Sequence, residues 1–501
     1  MCIEAIKTQD MDFLTYLPPW LLPAVVILTI SCILMLWTKP SKGASGLNLP
    51  PGPPSLPLIG NLHQLIGKSF HETVYKLAEK YGPIMHIYMG SQPVVVISSS
   101  ALATEAFKTH DHILANRQYS NNLRRLTFDY NDIAWAPYGD HSKHMRRVLV
   151  TEFLNSRMSK SFKKVLNMEV KSMLDNLPYG TETNLNKVFG NFVCDFTSKV
   201  VTGKSYRDVK IRGKTMKEML DEMIILFSGS YSEIFPKYGW ILEDLSGWTR
   251  RVDKHMANYN DLLELMIDEH LDHTSEDEKD MIDACRPLLN REEMKAIMSS
   301  VYNGAIDTSY LTLVWAMSEI VKNPRVMHKL QDEIRSNAGN KARLDETDTS
   351  KMTYLKYVVK ETLRRHGPSP FLLPRDCVSH IQIGGYDILP GTKVLINAWG
   401  IAKDPNVWTE NANEFHPDRF ENHVLEQFHM VPFGGGRRAC PGYNFATLNI
   451  EVVLANLLYS IDWKLPPGLT LEDFNMEEEG SLLVTKKTPL YLVPIKHNTQ
   501  A

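Results

Sequence analysis

The chain has 501 residues, 43% of them hydrophobic, and a formal net charge of -3, which allows a large buried core and excludes wholesale disorder. A pI near 6.6 gives no concentrated basic face of the kind a nucleic-acid binder needs. The six cysteines (Cys2, Cys32, Cys194, Cys285, Cys377 and Cys440) are scattered, with no CxxC pair, and no Asn-x-Ser/Thr acceptor occurs, so a reducing compartment fits better than the secretory lumen.

From Phe13 to Thr38 no residue is charged. Trp20 to Trp37, as a helix, reaches about 27 Å, enough to cross a bilayer core, with an indole at each end. Acidic residues precede it (Glu4, Asp10, Asp12) and Lys39 and Lys42 follow, so the positive-inside rule predicts a single-pass anchor over 1–38 with the body in the cytosol. The basic n-region of a cleaved signal peptide is missing. A basic and Pro-rich hinge follows at 39–60, where Pro50-Pro51-Gly52-Pro53-Pro54 predicts a stiff spacer. The body is 61–501.

Residues 61–290 read as helical segments with one strand-like patch at Pro93–Ser98. Arg291 to Lys322 carries no proline and predicts one helix of about 48 Å. Gly304, Asp307, Thr308 and Ser309 stand in its middle although all are poor helix formers. A second helix over 350–365 stops at Gly367-Pro368, alternation over 371–397 predicts a small sheet, and Tyr443 to Tyr459 returns to helix.

The segment Phe433-Gly434-Gly435-Gly436-Arg437-Arg438-Ala439-Cys440-Pro441-Gly442 puts four glycines near one cysteine just before a helix. Such a backbone can wrap a sulfur, and the helix N-terminus and nearby arginines lower a thiol pKa. A structural buried cysteine is the plainer reading of this segment alone. A phosphate loop wants a lysine after its glycines, which is missing. Glu361 and Arg364 share a helix face, and without further information an exposed pair of a few tenths of a kcal/mol describes them well. Thr308 can bond back to the carbonyl four residues earlier, or it can belong to a reactive site.

Taken together these segments resemble the cytochrome P450 family. Phe433, Gly436, Arg438, Cys440 and Gly442 match its haem signature FxxGxRxCxG. Glu361-Thr362-Leu363-Arg364 matches ExxR, Pro417-Asp418-Arg419-Phe420 is similar to the PxRF element, and Gly304 to Ser309 resembles the oxygen-groove motif. With the anchor and hinge, the resemblance covers nearly the whole chain and looks most like plant microsomal members.

The resemblance implies a mainly α fold with small β-sheets around a haem b, with Cys440 as the iron ligand and thiolate ligation favouring O–O cleavage. It implies a buried Glu361–Arg364–Arg419 network, propionate contacts from Arg146, Arg375 and Arg438, and proton delivery by Asp307 through Thr308 in a widened helix turn. Substrate contacts are expected from 116–132, from 206–240, from Val301 and Ala305, from 369–373 with Phe371 and Leu372, and from 481–483 with Leu482. The implied reaction inserts one oxygen atom of O2 into a lipophilic specialised metabolite, a terpenoid or alkaloid, in the endoplasmic reticulum membrane. Electrons would come from NADPH through cytochrome P450 reductase docking near Arg437, Lys143 and Arg147, with cytochrome b5 as a second donor. A haem-thiolate isomerase or dehydratase is the alternative enzyme, and the Asp307-Thr308 pair argues against it. A non-catalytic haem protein is the third reading, suggested by Ser142 in place of the tryptophan of the family's WxxxR. His141 and His144 are the nearby candidates to compensate. Gly367 likewise replaces a usual proline.

Overall fold

The computed structural model describes residues 46–66, 69–272, 280–339, 341–409, 411–422, 425–480 and 482–497, together with Pro23 and Thr29. The anchor expected at 1–38 therefore lies outside the described residues apart from those two, and among the described residues no helix is long and apolar enough to cross a membrane.

The main helices are Asp140–Val148 (α1), Ser156–Asp175 (α2), Leu185–Thr202 (α3), Met216–Ser228 (α4), Trp248–Asp272 (α5), Arg291–Lys322 (α6), Pro324–Ala338 (α7), Thr353–Arg365 (α8) and Tyr443–Ser460 (α9). Helix α6 has the bounds its lack of proline predicts. Asn290 caps it, accepting from the Glu293 N–H, while the Glu293 carboxylate accepts from the Asn290 N–H at 3.0 Å, a reciprocal cap that satisfies two orphan donors. It stops at Asn323 because the following Pro324 disfavours helical backbone there, and that proline opens α7 at the first helical position. Helix α6 packs on α3, α4, α5, α7, α8 and α9, so it is buried on nearly every side and forms the axis of the body.

One small sheet stands beside this bundle. Its strands are Ile84–Met89 (β1), Gln92–Ile97 (β2), Arg375–Asp376 (β3) and Lys393–Ile396 (β4), in the order β1-β2-β4-β3, with β2 and β4 parallel and the other pairs antiparallel. Val94 to Ile97 is buried on both faces, which is why it reads as an unbroken apolar run. Strand β1, with the sequence IMHIYM, carries no such run and is a strand the sequence reading missed. It forms by pairing with β2 across a turn at Gly90 (φ +62).

The Pro-rich segment is docked rather than free. The His86 N–H donates to the Pro51 carbonyl at 2.8 Å, and Asn61 ties Pro54 to Tyr88 with bonds of 3.1 and 2.8 Å. Residues 50–60 thus belong physically to the body.

Candidate haem-thiolate site

The loop 433–442 leads into α9. Its backbone takes left-handed turns at Gly434 (φ +68) and Gly436 (φ +65), which a Cβ would strain. At Gly436 there is also no room, since a Cβ would stand 2.0 Å from Oδ1 of Asp111. Asp111 is the peg of the loop: it accepts from the Arg437 N–H at 3.0 Å and from the Arg437 guanidinium at 2.8 Å, with Arg375 at 3.4 Å. The Cys440 N–H donates to the Phe433 carbonyl at 2.8 Å and closes the loop below the sulfur. The Phe433 ring braces it edge-to-face on Tyr443 at 4.7 Å.

Cys440 is exposed on one side and walled on the others. Burial pushes its thiol up, against the lowering effects of the Gly442 N–H and the Arg146 guanidinium. This corrects the expectation that the loop and its arginines by themselves depress the thiol. Arg437 turns to Asp111, and the neutral walls dominate. A cation bonded to the sulfur, as a ligated metal would be, favours its anionic form.

The Glu361–Arg364 pair is fully buried, in fork geometry with bonds of 2.8 and 2.9 Å, and Arg419 joins it at 3.0 Å. The Arg364 guanidinium also donates to the carbonyls of Ala402 (2.5 Å) and Ala412 (2.8 Å), and the His416 N–H donates to Glu361 at 2.9 Å. Burial pulls the Arg364 guanidinium down and Glu361 holds it up. The bland exposed-pair reading does not apply.

On α6, Gly304 is exposed and Ala305 and Thr308 are half-buried, whereas 311–321 is wholly buried. A Cβ on Gly304 would meet nothing within 4 Å. The helix stays α-helical through this stretch, without the expected widened turn, and the Thr308 hydroxyl donates to the Gly304 carbonyl at 2.6 Å. Asp307 points elsewhere. It is buried 3.5 Å from the Lys217 ammonium of α4, which also pairs with Asp221. Burial raises the Asp307 carboxyl and Lys217 opposes the rise.

Four arginines gather around the cysteine loop. Arg146 donates to the Ala439 carbonyl at 2.5 Å, Arg375 to Gly435 at 2.7 Å, and Arg438 to Ala115 at 2.7 Å. Arg117, which the sequence reading did not single out, is buried and donates to Ala134 (2.9 Å), Leu373 (3.0 Å) and Pro374 (2.6 Å). Burial, with repulsion from Arg375 and Arg146, pulls Arg438 down to about 10 although Asp132 opposes it. Burial, then Arg438 and Arg375, pull Arg117 well down. The carboxylates facing this cluster are Asp111 and Asp132. Counting Arg437, which also pairs with Asp111, five guanidiniums stand against two carboxylates, and the propionates of a haem fit that positive excess by the sign of their charge and by the bidentate chemistry of arginine.

A profile described as Cytochrome P450 matches residues 50–493. The chain belongs to the cytochrome P450 family. It is 99% identical over 491 residues, 98% of its length and all of the relative, to eupatolide synthase of Helianthus annuus. To parthenolide synthase of Tanacetum parthenium it is 46% identical, over 97% of this chain and 100% of that one. A solved structure of zebra fish cytochrome P450 with progesterone superposes with a TM-score of 0.72 at 21% identity, covering 85% of this chain and 99% of that one, which establishes the fold. The protein is a P450 monooxygenase, and the isomerase and non-catalytic readings fall away.

Among the residues expected at the substrate, Val301, Ala305 and Leu482 are partly open, while Ser481 lies outside the described residues. One expected contact, Phe371, is not open at all. Phe371 is buried against Phe70 with ring centroids 4.9 Å apart, in the core beneath the sheet. Leu372, at φ +54, wedges between the other side of the sheet and the cysteine loop, 3.5 Å from where a Cβ of Gly434 would stand. Leu373 is the member of this segment that joins Leu123, Tyr130, Trp135 and Phe227 in an aromatic wall, where Trp135 and Phe227 stack at 5.5 Å.

Ser142 spends its hydroxyl on its own helix start, exchanging bonds of 3.0 and 2.9 Å with the Gly139 backbone, so it supplies no donor to a propionate. His141 faces Glu293 at 3.9 Å and His144 faces Arg147 at 3.4 Å, so neither histidine compensates. Asp111, Arg117 and Lys217 are the other site residues the sequence did not reveal. Only Arg117 left a signal, as a charge closing the apolar stretch Ile113-Leu114-Ala115.

Proposed function

We propose that this P450 makes eupatolide, a sesquiterpene lactone, by hydroxylating a sesquiterpene carboxylic acid at a carbon from which the new hydroxyl closes on the carboxyl. One O2, two electrons and two protons give the alcohol and one water, and ring closure releases a second water. The observation that carries the reading is 99% identity over the full length of eupatolide synthase. The 46% likeness to parthenolide synthase supports the substrate class.

Cys440 would ligate the iron, and Arg146, Arg375, Arg438 and Arg117 would hold the propionates. The haem, when bound, supplies activation of O2. The chain's own part is to fix the substrate and deliver protons. Thr308, with its hydroxyl anchored on the Gly304 carbonyl, stands at the open face of α6, and Asp307, paired with Lys217, is the neighbouring acid that would feed it on turning from that pair. Val301, Ala305, Leu373, Leu482 and the aromatic wall would bound the substrate.

NADPH is read as the electron source through cytochrome P450 reductase, with Arg437 and Lys143, both half-exposed, and Arg147 on the docking face, and cytochrome b5 as a second donor. Placement in the endoplasmic reticulum membrane is supported by the uncharged N-terminal stretch and by exposed apolar side chains on two adjoining segments. These are Leu56, Leu58, Ile59 and Ile66 beside Tyr238, Trp240, Ile241, Leu242 and Leu245, linked through the 88–91 turn, where the Ser91 N–H donates to Ile234 at 3.0 Å.

The test is microsomal enzyme with reductase, NADPH and the deoxy acid one hydroxylation short of eupatolide, with product identified by mass and NMR. Eupatolide is the expected product, and its absence under turnover overturns the reading. In the same assay Thr308→Ala is expected to lower product per NADPH about tenfold or more while NADPH consumption continues, the mark of a lost proton donor.

A further inference from the structure

A buried chain of charges that the reaction scheme above does not use runs behind the substrate site. His366, the residue after α8, is 4% exposed. Its Nε2 lies 2.6 Å from Oε1 of Glu319 on α6, and its Nδ1 lies 2.8 Å from Oε1 of Glu478 on the strand Glu478–Gly480. A carboxylate oxygen therefore stands at each ring nitrogen, and the ring is held from both sides. The ring lies flat on Trp315 of α6, centroids 4.1 Å apart and planes 2° apart, the geometry in which an indole steadies a cation.

The groups around it are all engaged. Glu478 also accepts from His71 at 3.1 Å and from the Trp399 indole N–H at 2.9 Å, with Lys403 stacked on that indole at 3.0 Å. Glu319 accepts from Arg365 at 3.1 Å and from Asn323 at 3.1 Å. Burial of these carboxylates is more than offset by His366 and the cations beside them, which hold both Glu319 and Glu478 below the ordinary range.

Each end of this chain begins a loop of the site. Two residues after His366, the Pro368 carbonyl accepts from the Val484 N–H at 2.8 Å, and the Trp315 indole lies 3.4 Å from the Val484 carbonyl. Leu372 and Leu373 follow Pro368, one against the cysteine loop and one in the aromatic wall. Leu482 stands between Glu478 and Val484, at the turn of the hairpin that Glu478 pins. Helix α6, the 368–373 segment and the 480–484 turn are therefore fastened to one another at His366.

We propose that His366, clamped between Glu319 and Glu478, is a positioning residue that sets the separation of the 369–373 and 480–484 loops and thereby where oxygen enters the substrate. The proposal rests on the reading that these two loops bound the substrate. The clamp acts by charge, so its removal lets the loops part without emptying the core of apolar side chains.

The test uses full-length membrane enzyme with His366→Leu, which removes both ionic bonds, and Glu478→Gln, which keeps a neutral partner at Nδ1. Holoprotein content comes first, from the reduced CO spectrum, and all other values are normalised to it. The expected result is a shift of about threefold or more in the ratio of eupatolide to other oxygenated products, a KM raised more than kcat is lowered, and a smaller change of the same sign in Glu478→Gln. The dissociation constant of 4-phenylimidazole, read spectrally against that of imidazole, is expected to change about threefold or more as well, because only the larger ligand reaches the loops.

A role confined to stability would lower holoprotein and leave product ratio and the 4-phenylimidazole ratio unchanged, which overturns the proposal. If His366→Leu holds no haem, Glu478→Gln decides by the same criteria. Should wild type form no eupatolide, the functional reading fails while the imidazole pair still decides the clamp.

Discussion

Cys440→Ala is expected to abolish the long-wavelength band of thiolate-ligated haem in reduced, CO-saturated membranes and to take product formation below detection. The side chain is the one thiol with an open side in the described body; Cys194, Cys285 and Cys377 are buried. Burial raises all three thiols as it does that of Cys440, but none of the three has an open side from which to reach an iron. The loss in turnover is on the order of a thousandfold or more, since thiolate ligation drives the O–O cleavage on which the reaction depends and about 4 kcal/mol of barrier corresponds to that factor. Cys440→His separates binding from chemistry: iron is retained, the thiolate band is lost, and activity is lost with it. A surviving band in Cys440→Ala would mean that another residue holds the iron.

The second large effect is expected at the Glu361–Arg364–Arg419 network. Glu361→Gln leaves two buried guanidiniums without their carboxylate, and Arg364→Ala takes two donors from the buried Glu361 carboxylate and leaves the carbonyls of Ala402 and Ala412 without the guanidinium. Breaking such a buried set costs about 3 to 5 kcal/mol, a large part of the roughly 5 to 15 kcal/mol that holds a folded domain together. Both variants are expected to accumulate little holoprotein and to unfold at markedly lower temperature, as followed by the CO spectrum and by thermal melts of whatever protein is recovered. Arg364→Lys does not rescue, because a point charge cannot replace a fork that serves Glu361 and two carbonyls at once. A Glu361→Gln protein with wild-type haem content and melting temperature would show the network to be dispensable.

The parts of this site legible in the sequence are those where backbone and chemistry coincide. Gly436 and Cys440 stand out because the loop has room for no other residue at one position and needs a sulfur at the other. Arg291–Lys322 is legible as a helix because the proline-free stretch and the Pro324 that ends it are local signals. What stayed hidden depends on contacts far apart in the chain. Asp111 is an ordinary loop aspartate until Arg437, 326 positions away, is folded onto it. Strand β1 exists only because β2 is there to pair with. The resemblance implies Phe371 and Leu372 at the substrate, but Phe371 is buried in the core beneath the sheet, while Leu372, at φ +54, leans partly buried on the other core and Leu373 joins the wall. The Asp307 and Thr308 pair was visible as an acid beside an alcohol, yet adjacent residues on a helix point about 100° apart, and the acid turned out to belong to Lys217.

The surplus of positive charge around the cysteine loop bears on the aromatic wall as well. Arg117 ties the Ala134 end of the aromatic wall to Leu373 and Pro374, and Arg438 ties the same stretch to the cysteine loop through Ala115 and Ile133. Burial and the neighbouring guanidiniums pull both arginines down, so a bound dianion would relieve a repulsion that this stretch otherwise carries within itself. A haem seated here would therefore be a counter-ion as well as a reagent, joining the Ala134 end of the aromatic wall to the cysteine loop through the charges that Arg117 and Arg438 bring.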